Sequence, residues 1–147
     1  MLASEVLAWI DPCHGQRWLD VGCGTGAMSE ALLASAAPLS LLGVDPSAAY
    51  LTAARARLED TRVTFTVGES AALPLADCSV DQVVCALVLN FVPDAVAALG
   101  EMGRVLVPGG RVTAHVWDYS DGMQMLRRFW DAAVSEDPAA APLEQAQ

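Results

Sequence analysis

The feature that most constrains the fold is the run RWLDVGCGTG at residues 17–26, where an apolar stretch leads straight into glycines at 22, 24 and 26. A largely apolar run suits a strand covered on both faces, as strands of parallel sheets are. Alternate glycines at its end let the backbone turn sharply and let a ligand approach without Cβ interference. Helical periodicity begins directly afterwards, so the segment reads as a strand, a tight turn and a helix whose first N–H groups lack partners.

The alternation then repeats. Residues 17–21, 39–44, 63–67, 82–89 and 111–117 are short, mostly apolar or β-branched and read as strands. Residues 3–10, 27–34, 48–58, 95–105 and 123–134 carry helical spacing, with Met28, Ala31 and Leu32 on one face, then Leu51, Ala54 and Leu58, then Val96, Leu99, Met102 and Leu106. Ser47 and Asp94 stand at N-cap positions, and Pro108-Gly109-Gly110 is expected to stop the fourth helix ahead of the fifth strand. The pattern predicts an α/β fold, a Rossmann-like doubly wound parallel sheet of about five strands. One domain is expected over residues 1–137, with 138–147 a tail that has no stripe to bury.

With 147 residues, 54% of them hydrophobic and 18% charged, the chain can bury one core and lies outside the composition of disorder. No apolar run is long enough to cross a bilayer, and Glu5 stands where a signal peptide would carry its basic region, so the expected address is cytoplasmic. The formal charge of −10 comes from 18 acids against eight arginines, which disfavours nucleic acid as a partner; no membrane partner is expected either. Cys13, Cys23, Cys78 and Cys85 form no C-x-x-C pair, and His14 and His115 are not spaced to join them, so free buried thiols and no metal are expected. A mean hydropathy of +0.36 is high for so small a unit and points to apolar surface that something else covers.

In an open parallel sheet the ligand sits outside the carboxyl ends of the strands, where strand order reverses. The first such end supplies Asp20, Gly22, Cys23, Gly24, Thr25 and Gly26. A dinucleotide fingerprint, G-x-G-x-x-G, is a rival reading, with Ala27 at its third glycine. Asp20 favours a cationic ligand, since a carboxylate before the first glycine would repel a pyrophosphate. Asp45, before Pro46, can accept from a ribose diol or support a turn; Glu69 and Ser70 can meet an adenine edge or be a solvated loop. Leu87 and Asn90 end the fourth strand, with Asn90 able to face a ligand or cap a loop.

Taken together, residues 16–118 resemble the class I S-adenosylmethionine-dependent methyltransferases, in particular the small-molecule type 11 group. WLDVGCGTG is similar to the first motif, LLGVDPSAAYLTAARARL to the second strand with its ribose acid, VTFTVGESAALPLADCSVDQVVCALVLNFV to the third and fourth strands, and EMGRVLVPGGRVTAHVWD to the following helix and strand. The resemblance implies S-adenosylmethionine as cofactor and S-adenosylhomocysteine as product. Gly22, Gly24 and Gly26 would line the methionine part, Asp20 would join the network around its amino group, and Asp45 would take the ribose. Glu69, where the family has Asp, would contact adenine with the backbone of Ser70, and Leu87 would pack near the sulfonium. No catalytic base is identifiable.

The family's sheet has seven strands in the order 3-2-1-4-5-7-6, a lid and a substrate region, so the chain reads as shortened at both ends. That implies weak turnover on a small-molecule acceptor and self-association through the strand at 111–117 or the helix at 123–134. A nicotinamide-dependent oxidoreductase and a non-catalytic interaction module remain as alternatives.

Overall fold

Strand β1 (Arg17–Val21) is buried at every residue after Arg17, and this places it inside a sheet rather than at an edge. The computed structural model describes residues 2–118 and 123–141. In chain order the remaining elements are α1 (Leu2–Ile10), α2 (Ala27–Ala36), β2 (Ser40–Asp45), α3 (Ala48–Arg57), β3 (Val63–Val67), β4 (Val80–Ala86), α4 (Ala95–Val105), β5 (Leu106–His115) and α5 (Gln124–Glu136). Met1–Val116 and Trp117–Gln147 are separate compact units, and the sheet lies in the first. Among the described residues no helix is long and apolar enough to cross a membrane.

All four strand pairings are parallel, in the order β3-β2-β1-β4-β5. Strand alternation sorts the core into two layers. Trp18, Leu41 and Val84 face the side that carries Leu7 and Ile10 of α1, Met28 and Leu32 of α2, and Leu51 of α3. Leu19, Val21, Val44, Val83 and Cys85 face the other side, against Ala98, Met102 and Val105 of α4. Asp20 shares the face of Trp18, two residues before it, and so points under α2.

Both expected N-caps are formed: Tyr50 N–H donates to the Ser47 hydroxyl at 3.3 Å and Ala97 N–H to the Asp94 carboxylate at 2.9 Å. Three expectations need correction. The fifth strand starts at Leu106, immediately after α4, and Pro108-Gly109-Gly110 lies inside it. Between Val80↔Leu106 and Gln82↔Arg111 the strand β5 advances five residues against two of β4, so the Pro-Gly-Gly segment is looped out of the ladder as a bulge. On α4 the buried stripe is Ala98, Met102 and Val105, while Val96 and Leu99 are 82% and 44% exposed, because the helix carries apolar residues on two faces and only one meets the sheet. Of the four free cysteines, Cys23 and Cys85 are buried, but Cys13 and Cys78 are exposed on loops.

The segment joining β3 to β4 bears Glu69 and Ser70, and α4 holds it through the side chains of Arg104 and Glu101. Arg104 donates to the carbonyls of Leu73 (3.1 Å) and Leu75 (2.9 Å) and to the carboxylates of Asp77 (2.7 Å) and Glu101 (2.7 and 2.8 Å). Glu101 in turn accepts from Leu73 N–H at 2.9 Å. A planar fork with five donors can satisfy five acceptor oxygens on four residues at once, whereas an ammonium cannot reproduce the arrangement. Arg104→Ala is therefore expected to speed amide exchange at Leu73 and Leu75, with Arg104→Lys restoring little of the protection; unchanged exchange in the Ala variant would contradict this assignment.

Candidate functional site

Strand order runs outward from β1 in both directions, so the crossovers leaving β1 and β4 diverge and open a cleft at the carboxyl edge. The chain turns there through Gly22 (φ +70°) and Gly24 (φ +53°), a region that side chains with a Cβ adopt at a cost. A Cβ on Gly22 would stand 2.4 Å from the Val88 side chain, while one on Gly24 would meet nothing within 4 Å. Close approach thus requires the first glycine, and backbone conformation the second. Gly22 and Cys23 N–H groups donate to the Val44 carbonyl at 2.7 and 3.1 Å, tying the turn to β2.

Asp45 ends β2 and is buried. Its two oxygens accept from the N–H groups of Gly24 (2.9 Å) and Ser47 (2.8 Å). Each carboxylate oxygen has a further lone pair, so the turn-supporting role and a ligand-accepting role are compatible. A cavity of about 440 Å³ opens beside it, with Gly22 and Gly24 on one wall, Asp45, Pro46 and Tyr50 on a second, Glu69 and Ser70 on a third, and Leu87, Val88 and Phe91 on a fourth.

A second cavity of about 220 Å³ shares Gly22, Ala86 and Leu87 with the first and extends to Asp20, Cys23, Met28 and His115. Asp20 is fully buried: Oδ2 accepts from the Ser29 hydroxyl at 2.7 Å, and Oδ1 has no partner. Burial pushes its pKa up to about 6, against the Ser29 hydrogen bonds that lower it, with a smaller push from Asp45. Ser29 is the third residue of α2, so the carboxylate sits by a helix N-terminus, which favours its charged form. Burial also drives the Cys23 thiol well above its ordinary range, so it is a neutral wall rather than a nucleophile.

Of the residues singled out from sequence, Gly22, Gly24, Asp45, Pro46, Glu69, Ser70 and Leu87 line the first cavity, and Asp20 and Cys23 the second. Three are not brought in. Thr25 is exposed, and Gly26 caps α2 and packs against Ala54 and Leu58. Asn90 is exposed in a 3₁₀ turn, Leu89–Phe91, because β4 ends at Ala86 and Leu87 takes φ +59°, which presents Val88 and Phe91 to the cavity instead. Tyr50, Phe91 and His115 escaped sequence reasoning. The signal for the first two was an aromatic close after a candidate acid or strand end; His115 was hidden by a fifth strand drawn two residues too long.

The fold and this pair of cavities define an open parallel α/β domain with a cleft at its carboxyl edge. Residues 19–114 match the family described as methyltransferase domain, and the chain belongs to it, among the class I S-adenosylmethionine-dependent methyltransferases. It is 37% identical over 117 residues to an uncharacterised methyltransferase of Mycobacterium bovis, covering 80% of this chain and 46% of that protein. It is 39% identical over 124 residues to a demethylmenaquinone methyltransferase of Clavibacter sepedonicus, covering 83% and 49%. Among solved structures, an S-adenosylmethionine-dependent methyltransferase from Mesorhizobium loti superposes with TM-score 0.68 at 28% identity, covering 76% and 52%. The chain spans about half the length of the curated relatives it matches.

The bare Oδ1 of Asp20 suits a ligand ammonium, the spare lone pairs of Asp45 suit a pair of hydroxyls, and the open face of Gly24 leaves room for both, so the residues fit that family's cofactor. Burying Asp20 has a stability consequence. Its folded pKa of about 6 exceeds the ordinary carboxylate value, so its contribution is greatest below about pH 4 and is lost as pH rises through 6. Two pKa units correspond to about 3 kcal/mol at neutral pH. Asp20→Asn should accordingly raise Tm at pH 7.5 and change it little at pH 4, by scanning fluorimetry; a lower Tm at pH 7.5 would contradict the desolvation cost.

Proposed function

We propose that the first unit holds S-adenosylmethionine through these two cavities and that the chain is the cofactor-binding part of an enzyme that methylates a small molecule. The observation that carries this reading is the buried, half-satisfied carboxylate of Asp20, one shared wall away from the cavity that contains Asp45. A buried charge without a partner is costly, and a ligand ammonium would remove that cost. When bound, the cofactor supplies a methyl group on a positively charged sulfur.

The roles follow the geometry. Asp20 accepts from the ammonium and Asp45 from the ribose hydroxyls, while Gly22 and Gly24 let the backbone approach. Glu69 and the backbone of Ser70 meet the adenine edge, and Leu87, common to both cavities, flanks the sulfur. Holding the cofactor this way orients its methyl group toward the acceptor. The demethylmenaquinone methyltransferase among the relatives supports a small-molecule acceptor.

Calorimetry with S-adenosylhomocysteine and with NAD tests this. The first should bind and the second should not; Asp45→Ala should weaken binding about tenfold or more, and affinity should fall below about pH 6 as Asp20 takes up a proton. Preference for NAD, or binding of neither, would overturn the reading. Self-association belongs to the same proposal. It is supported by β5, which pairs on one side only among the described residues, and by the exposure of Met125 and Phe129 on α5. Light scattering should show dimers or larger species at high concentration, and monomer alone would contradict it.

A further inference from the structure

His115 is the last residue of β5, paired in register with Ala86, and its carbonyl accepts from Leu87 N–H at 2.8 Å. Ala86 and Leu87 form the wall common to the two cavities, and the His115 side chain lines the smaller one. Along the carboxyl edge the strands therefore present Asp45 on β2, Asp20 on β1, the shared wall on β4 and His115 on β5. Neighbouring strands lie about 4.8 Å apart, so His115, two strands out from β1, stands roughly 10 Å from it, on the β5 side of the smaller cavity. Since β1 and β2 carry the residues given to the ammonium and the ribose, the β5 side is the one left for a methyl acceptor.

One ring nitrogen makes no structural contact. Nδ1 is shut off from water and has no hydrogen-bond partner, a cost that Phe or Leu would not incur at the same place. Burial lowers its pKa and keeps the ring neutral, with one nitrogen protonated and the other bearing a lone pair. The titratable side chains lining the same cavity, among the described residues, are Asp20 from β1 and Cys23 from the turn after it. Among the described residues no other basic side chain lines it, so the only like charges an imidazolium there would face are those of the cofactor itself, with the Asp20 carboxylate in the same cavity to offset them.

We infer, resting on the reading above, that His115 is the base that receives the proton of the methyl acceptor, and that the acceptor is a protic nucleophile, a hydroxyl or an acidic C–H, which must lose that proton to react. As the new bond to the methyl carbon forms, the carbon–sulfur bond breaks and its electron pair stays on sulfur as a neutral thioether. The acceptor's proton passes to the lone-pair nitrogen of His115, leaving an imidazolium that solvent later discharges.

The experiment needs no acceptor. The chain has two histidines, His14 is exposed, and its ring signal serves as an internal control during an NMR titration of both. Calorimetry first establishes that S-adenosylhomocysteine binds; if it does not, the cofactor reading fails and this inference falls with it. With binding shown, His115 is titrated with S-adenosylmethionine, whose sulfur is positive, and with S-adenosylhomocysteine, whose sulfur is neutral. The expected result is a His115 pKa lower by at least about half a unit in the first complex than in the second, with His14 unmoved. Equal values in the two complexes would place His115 away from the sulfur and overturn the inference alone. His115→Phe, with His115→Gln as a polar control, should keep S-adenosylhomocysteine affinity within about twofold; a tenfold loss in both would make it a cofactor-holding residue instead and equally overturn the proposal.

Discussion

Parallel pairing is the constraint on which the rest of this structure depends. A parallel strand cannot be reached by a hairpin, so crossovers join the strands and gather all their carboxyl ends on one edge. Because β1 is followed outward on one side by β2 and β3 and on the other by β4 and β5, those crossovers leave opposite faces at the centre. Each residue argued to meet cofactor or acceptor lies at or just past a carboxyl strand end: Asp20 on β1 and Gly22 after it, Asp45 on β2, Glu69 after β3, Leu87 after β4 and His115 on β5.

At the centre of that edge the fold accepts a local loss of stability. Asp20 is buried under α2 with a hydroxyl on one oxygen and nothing on the other. Burial of that carboxylate is costly, and the cationic ligand end proposed for it would offset the cost. Nδ1 of His115 is likewise buried without a partner. Of the four buried side-chain polar atoms without partners among the described residues, Asp20 Oδ1 and His115 Nδ1 belong to residues that line one small cavity, whereas Gln16 Oε1 and Trp18 Nε1 do not.

Much of this was legible in the residues. Five apolar runs became five strands, Ser47 and Asp94 became caps, and Asp20, Gly22, Gly24, Asp45, Glu69 and Leu87 came together at the cleft. The errors share a cause, which is that local pattern does not reveal which neighbour an element meets. Pro108-Gly109-Gly110 looked like a break and is a bulge, because β4 pairs with β5 on both sides of it. Val96 and Leu99 looked like a buried stripe, yet the phase of α4 turns Ala98, Met102 and Val105 to the sheet. Asn90 looked like the polar contact of β4, but the left-handed turn at Leu87 presents Phe91.

The sequence by itself determined the class of fold, the order of its elements and the motif residues at the first three strand ends. Periodicity, glycine placement and capping are local properties, readable within a dozen residues. Tertiary structure alone decided that Asp20 would keep one oxygen bare, that Asp45 would be tied to both Gly24 and Ser47, and that His115 would share a cavity with a carboxylate 95 positions earlier in the chain. Burial, cavity shape and the missing partner of a polar atom depend on what the rest of the chain brings to that point in space, and no local window contains that information.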